Sequence, residues 1–325
     1  MSAALIELKD VSKRFVKRLD IAARAARAFG ADLREESVQA VAPGEVVGLV
    51  GESGCGKSTL GRVVSGIHEP SAGEVLFRER PMDNMTPDEA RDYTLKVQMI
   101  FRDPYASLNP RLRVHDIIGE APRVHEVWPA DAFKDRLDEV MLRVGLDPTF
   151  KRRYPHQFSG GQCQRIGIAR ALAVEPAFLV CDEAVAALDV SIQAQILNLF
   201  TQLLEELGLT YLFISHDLGV VHHLADRVVI MYFGRVVESA PTAELFREPN
   251  HPYTRALLDE IPQIELRHRE FEPIRGEIPS PLDPPTGCAF HPRCPHATTR
   301  CREEAPALRN IAPSRRSACH LNEGM

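Results

Sequence analysis

The sequence predicts an α/β fold built on a parallel sheet. Short β-branched apolar runs alternate with stretches of helical period. One of those runs leads straight into a glycine-rich loop that opens a helix. Val46–Val50 (Val-Val-Gly-Leu-Val) reads as the first buried strand, and residues 177–181 and 211–214 as two more. Between the last two, Ile192, Ile196, Leu199, Leu203 and Leu207 recur every three or four residues, and Gly208 ends the helix they define. Strand, helix and strand in that order predict a right-handed parallel crossover. Residues 17–36, rich in alanine, arginine and acids with no apolar stripe, read as a solvated helix or loop between two early strands.

A length of 325 residues, at ~150 per domain, suggests about two domains. The 44% hydrophobic and 26% charged content excludes a disordered or fibrous chain. A net charge of −6 leaves no basic excess for binding nucleic acid, so no nucleic-acid partner is expected. The longest uninterrupted apolar run, residues 228–233, has six residues, far short of the ~20 that cross a bilayer. The first ten residues lack the basic-then-apolar pattern of a signal peptide. A cytoplasmic chain that meets membranes through a partner is therefore expected. Ten of the 24 prolines fall between Pro262 and Pro313, beside a cluster of cysteines. A boundary is placed near 240–262, giving units 1–240 and 241–325. No motif repeats.

Gly51-Glu52-Ser53-Gly54-Cys55-Gly56-Lys57-Ser58-Thr59 fits G-x-x-x-x-G-K-[ST] between a predicted strand and a predicted helix. Glycines let the backbone curl until its N–H groups converge on phosphate oxygens. A helix starting at Lys57 adds its positive end. Lys57 supplies a full charge to the β- and γ-phosphates, and the Ser58 hydroxyl suits Mg²⁺. Together these predict a site for a nucleoside triphosphate. Residues 178–183 form an apolar run ending in Asp182 and Glu183, two carboxylates at the strand edge where the phosphates should lie. Asp182 is a candidate to hold Mg²⁺ through water, and Glu183 is the candidate general base for the attacking water.

Further motifs carry a resemblance. Phe158-Ser159-Gly160-Gly161-Gln162 resembles the signature of ABC ATPases, Ala187-Leu188-Asp189 their D-loop, and His216 in Ile214-Ser215-His216-Asp217 their switch histidine. Phe15 sits where that family stacks an aromatic on adenine. Residues 101–110 (Phe-Arg-Asp-Pro-Tyr-Ala-Ser-Leu-Asn-Pro) and His251-Pro252-Tyr253-Thr254 resemble the ATP-binding subunits of oligopeptide, dipeptide and nickel importers, as does the cysteine-rich tail.

The resemblance implies a P-loop ABC ATPase domain with a parallel-sheet core, a helical signature subdomain at about 103–175 and a small Cys-rich C-terminal extension. It implies that two ATPase subunits, identical or paralogous, close head to tail on MgATP. Ser159, Gly160, Gly161, Gln162 and Asp189 would then face the partner's nucleotide, while His216 contacts the γ-phosphate. Two integral permease subunits and an extracytoplasmic solute-binding protein would complete a peptide importer at the cytoplasmic face of the membrane. Two other readings stand beside it: a catalytically weakened partner of a more active sister subunit, and a soluble ABC ATPase not coupled to transport. Proteins of the latter kind usually carry two cassettes in one chain, and this chain has one P-loop.

The sequence departs from the family at Arg102, where the Q-loop carries glutamine. Arginine has no acceptor and is always charged, so it cannot orient a Mg²⁺-bound water by accepting from it; direct pairing with phosphate is expected instead. Cys163, Ala184 and Ala186 replace the usual arginine, proline and serine nearby. In the tail, Cys288, Cys294, Cys301 and Cys319 lack paired C-x-x-C arms. Four thiolates hold zinc or a 4Fe-4S cluster, and spacing leaves both open. The resemblance implies the cluster.

Overall fold

The computed structural model describes residues 4–14, 32–34, 40–261, 279–280 and 284–322, with side chains at all but 14 and 32–34. Phe15 and nearly all of the 17–36 segment lie outside the described residues. Strand β1 (Ile6–Arg14) pairs antiparallel with β2 (Asp32–Arg34). Next comes β3 (Val46–Val50), whose end enters the glycine loop, and α1 (Lys57–Val64) leaves that loop. Strand β4 (Ala72–Phe77) returns to β1, and the short β5 (Arg80–Pro81) completes a small antiparallel sheet. Helix α2 (Pro87–Lys96) starts sharply because Thr86 and Glu89 cap each other and Pro87 fills the first helical position.

From β6 (Val97–Ile100) the chain leaves for three helices, α3 (Val114–Val124), α4 (Phe133–Arg143) and α5 (Gly160–Leu172). It comes back as β7 (Phe178–Asp182), crosses through α6 (Val190–Leu207) and lies beside β7 again as β8 (Thr210–Ser215). The predicted helix is thus present, and Gly208 ends it at φ 61°, a conformation that costs a glycine little. The strand expected over 177–181 runs one residue later, so that Asp182 is its last member. After α7 (Leu218–Leu224) come β9 (Arg227–Tyr232) and β10 (Arg235–Pro241). Helices α8 (Thr242–Arg247) and α9 (Pro252–Asp259) follow, then α10 (Thr299–Glu303), β11 (Arg309–Ala312) and β12 (Arg315–Ser317).

The larger sheet runs β11-β12-β10-β9-β3-β8-β7-β6. Its five strands from β9 to β6 are parallel, and the pairings from β9 through β10 and β12 to β11 are antiparallel. Both faces of the parallel part are buried, which is why these strands read as unbroken apolar runs. Val46, Val50, Leu179, Cys181, Tyr211 and Phe213 join the core made with Ile118, Ile166 and Phe200 of the helices. Their alternates Val47, Leu49, Phe178, Val180, Leu212 and Ile214 face β1, β4 and α1 through Ile6, Val75 and Leu60. The parallel part of the sheet is therefore anchored by packing on two sides.

The prolines near 240–262 start helices: Pro241 caps α8 and Pro252 is the first residue of α9. Beyond them, β12 pairs antiparallel with β10, so the C-terminal segment extends the main sheet. Tyr253 of α9 is fully buried, with its ring 4.6 Å from Tyr232 of β9 and 5.3 Å from Phe290, which lies two residues after Cys288. Such a cluster stabilises by about 0.5–1.5 kcal/mol per pair beyond area burial. Among the described residues no helix is long and apolar enough to cross a membrane.

Candidate functional site

The glycine loop is held where two glycines are sterically required. A Cβ at Gly51 would lie 2.1 Å from the Met231 carbonyl oxygen, so only glycine lets the loop pass over β9. Gly56, at φ 105°, turns the chain into α1. Lys57 is buried, and its ammonium donates to the carbonyls of Gly51 at 2.6 Å and Glu52 at 3.0 Å. Ser53 and Gly54 are exposed at the loop tip, while Cys55 is buried under it and Thr59 is half-buried in α1. Burial pushes the Cys55 thiol up, so it stays a neutral thiol beside Lys57.

The sheet edge brings the predicted acids to this loop. The Ser58 hydroxyl donates to Asp182 Oδ1 at 2.7 Å, joining α1 to β7. Burial, and then Glu183, raises the pKa of Asp182, while the Ser58 hydrogen bond pulls it down. A hydroxyl and a carboxylate so placed are hard oxygen donors, and they fit Mg²⁺. Glu183 is 6% exposed and adopts φ 48°, a left-handed conformation unusual for a side-chain-bearing residue. That twist turns it away from Asp182, and its N–H donates to the Ile214 carbonyl at 3.0 Å. His216, just beyond β8, stands with Nδ1 3.4 Å from Glu183 Oε1.

Arg102 stands beside the second acid of the pair. Its Nη1 lies 3.0 Å from Glu183 Oε2, without the alignment of a hydrogen bond. Gln98, in β6 four residues before Arg102, donates its side-chain amide to the Thr94 carbonyl at 2.6 Å. Sequence reasoning found Arg102 as a departure but not its partner, because register alone does not say which acid a flexible guanidinium meets.

The signature opens α5. Ser159 Oγ accepts from the Gln162 N–H at 3.4 Å, and Gln162 Oε1 accepts from the Ser159 N–H at 3.0 Å, a reciprocal cap. A Cβ on Gly161 would lie 2.5 Å from Ile192 Cγ2, and one on Gly160 3.7 Å from Leu188 Cδ2. The signature and the D-loop are therefore neighbours, and both Ser159 and Asp189 are exposed.

Two contacts were not foreseen. The Glu52 N–H donates to the Tyr253 hydroxyl at 2.9 Å, and the Glu52 carboxylate receives both arms of Arg293, at 2.7 and 2.9 Å. Arg293 lies between Cys288 and Cys294. The one sequence signal was Tyr253 in a motif already singled out; Arg293, 241 positions from Glu52, gave none.

Around Arg293 the tail folds on itself. Cys288 N–H donates to the Cys301 carbonyl at 2.8 Å, and Thr298 Oγ1 is 3.3 Å from Cys301 Sγ. The Cys288 thiol is pushed up to about 11, first by burial and then by Cys301, Cys319 and Cys294. Cys294 and Cys319 are raised by burial and by other thiols of the set. None of the four cysteines is in a disulfide. The ligand set expected here is not drawn together for a single ion: among the described residues no three His, Cys, Asp or Glu side chains converge to hold a metal.

A strand-loop-helix phosphate cradle, two acids at the adjoining strand end and a glycine signature on a separate helix define an ATP-binding cassette. Residues 37–186 match the family described as ABC transporter, and residues 237–301 match the oligopeptide/dipeptide transporter C-terminal region. The chain is 46% identical over 322 residues to the oligopeptide transport ATP-binding protein AppF of Bacillus subtilis, covering 98% of this chain and 97% of that protein. It is 48% identical over 270 residues to OppF, the oligopeptide transport ATP-binding protein of Salmonella typhimurium, covering 82% and 80% respectively. Its fold matches the dimeric cassette MJ0796 bound to ADP and Pi with a TM-score of 0.62 at 27% identity, over 73% of this chain and 98% of that one. The chain belongs to the ABC ATPase family, in the branch that carries the oligopeptide/dipeptide transporter C-terminal region.

Proposed function

We propose that this chain is the ATP-hydrolysing subunit that drives peptide uptake through a membrane ABC transporter. The observation that carries the reading is the junction of Lys57, Ser58, Asp182 and Glu183 at one sheet edge, in a chain alike over nearly its full length to oligopeptide transport ATP-binding proteins. Residues 51–59 bind the triphosphate, with Lys57 released from its carbonyls onto the phosphates. Ser58 and Asp182 hold Mg²⁺, which neutralises phosphate charge when bound. Glu183 accepts the proton of the attacking water, and His216 steadies the γ-phosphate. Exposed Ser159 and Asp189, with Gly160, Gly161 and Gln162, cap the nucleotide of a second ATPase subunit. Phe15 is assigned to adenine by its place in the sequence alone.

Residues 1–240 form the nucleotide-binding unit, with its helical part at about 103–175, and residues 241–325 the peptide-transporter extension. The subunit sits at the cytoplasmic face on two permease subunits, which receive solute from an extracytoplasmic binding protein. Cys288, Cys294, Cys301 and Cys319 bind a 4Fe-4S cluster. The support is the resemblance of the four-cysteine tail to the peptide-importer subunits and the match of residues 237–301 to the oligopeptide/dipeptide transporter C-terminal region. The test is anaerobic purification with both permease subunits and reconstitution in vesicles. ATP-dependent uptake of peptides with iron and labile sulfide in the ATPase is expected. Absence of uptake defeats the transport assignment, and zinc in place of iron defeats the cluster.

A second reading rests on Arg102. With its guanidinium on one oxygen of Glu183 and His216 near the other, the carboxylate is engaged on both sides and poorly open to a water proton. Arg102 thus slows hydrolysis. Because Arg102 is 60% exposed, the pair is a weak one. Arg102→Gln is expected to raise turnover of the assembled complex about fivefold, a change of about 1 kcal/mol. Unchanged turnover removes the argument.

A further inference from the structure

We propose that Arg293 is a positioning residue of the phosphate loop: the cysteine segment holds it against Glu52, so that this carboxylate is neutralised and the loop can take the phosphates of MgATP. This rests on the nucleotide site proposed above.

Glu52 is gripped at three points. Its N–H donates to the Tyr253 hydroxyl at 2.9 Å, its carbonyl accepts from Lys57 at 3.0 Å, and its carboxylate receives the guanidinium at 2.7 and 2.9 Å. Arg293 is almost wholly buried, at 4% side-chain exposure, and Glu52 is 21% exposed. Nη1 of Arg293 also lies 3.4 Å from the Tyr232 hydroxyl. The Arg293 N–H donates to the Phe290 carbonyl at 3.0 Å, so a tight turn fixes the guanidinium to the Tyr232–Tyr253–Phe290 cluster. A two-pronged pair of this kind sets orientation as well as charge.

The need for the charge follows from where Glu52 stands. It is the second residue of a loop whose function is to surround a polyanion. A bare carboxylate there would repel the phosphates through a poorly screened environment. The guanidinium cancels that charge from the side remote in sequence, without spending Lys57 on it. The C-terminal segment is thereby a mechanical and electrostatic part of the ATP site.

The test measures MgATP affinity of the full-length chain by displacement of a fluorescent ATP analogue, for wild type, Arg293→Gln, Arg293→Lys, Glu52→Gln and the double variant. Arg293→Gln leaves the half-buried Glu52 carboxylate without its charge partner and is expected to raise Kd about tenfold. Arg293→Lys, which keeps the charge but loses the fork, should fall between it and wild type. Adding Glu52→Gln removes the stranded charge and should bring the double variant back to within about threefold of wild type. A collapse of the cysteine segment would not be rescued by a change in the phosphate loop. Kd unchanged in Arg293→Gln, or a double variant as weak as Arg293→Gln, overturns the proposal while leaving the nucleotide site standing. Failure of wild type to bind MgATP, or equal binding by Lys57→Ala, overturns the nucleotide site itself and this proposal with it.

Discussion

Glu183→Gln is expected to keep MgATP bound while slowing hydrolysis by about 10²–10⁴-fold, the range associated with loss of a positioned general base. Glutamine has the size of glutamate and still accepts a hydrogen bond through its carbonyl, but it cannot take a proton from water. The backbone at φ 48° is held by the N–H bond to Ile214 and by β7 packing, neither of which involves the carboxylate. Replacing a buried charge by an amide strands only Arg102, which is 60% exposed and readily hydrated. The fold should therefore be intact, and the loss should fall on turnover and not on affinity. Measured on the assembled complex, turnover within tenfold of wild type would show that another group takes the proton.

The stability of the C-terminal half should fall in acid because of His251. Its imidazole is 1% exposed, and burial holds its pKa down at about 4, against 6.5 in the unfolded chain, with a hydrogen bond at the Ala318 backbone working the other way. Nδ1 accepts from the Tyr253 N–H at 3.1 Å, capping α9, so a proton on that nitrogen removes the acceptor the cap requires. Glu238 accepts from the His251 backbone N–H at 2.8 Å, and Arg315 Nη2 is 3.8 Å from Glu238. Between pH 6.5 and 4 the unfolded chain binds a proton that the folded chain refuses. Folding free energy is thus greatest above 6.5 and declines as pH falls toward 4, by up to about 3 kcal/mol. Urea unfolding at a series of pH values checks this. Carboxylates titrate in part of the same window, so the comparison is with His251→Asn, whose side-chain oxygen can keep the cap. The variant should lose the His251 part of the slope; an unchanged slope rules the histidine out.

Acid sensitivity at His251 and the Arg293–Glu52 pair belong to one junction. Helix α9, β9, β10 and the cysteine segment meet there, and Tyr253 contributes to both, through its N–H toward His251 and its hydroxyl toward Glu52. Protonating His251 would disturb the helix that carries the hydroxyl holding the phosphate loop. The extension is thus tied to the cassette by hydrogen bonds and by the β10–β12 pairing.

Much of the cassette was legible from residues alone. The parallel strands are buried on both faces, so they are written as short apolar runs; the helix between two of them carries a stripe and ends on a glycine. A loop that must curl around phosphate and start a helix requires glycines and a lysine at fixed spacing. These signals are local, because backbone conformation and burial face act over a few residues. The strand edge was off by one residue since the acid ending β7 carries no apolar signature. Pro241 and Pro252 stand at helix starts, because the same fixed φ that breaks a pattern suits a first helical turn.

The sequence by itself determined the phosphate loop, the acid pair and the glycine signature, since each is a contiguous stretch whose chemistry depends on its own backbone. Only the tertiary structure decided that Arg102 reaches Glu183 and that Tyr253 and Arg293 hold Glu52. Those are contacts between side chains brought together by sheet order and packing, and one-dimensional spacing does not encode which charge a remote guanidinium will meet.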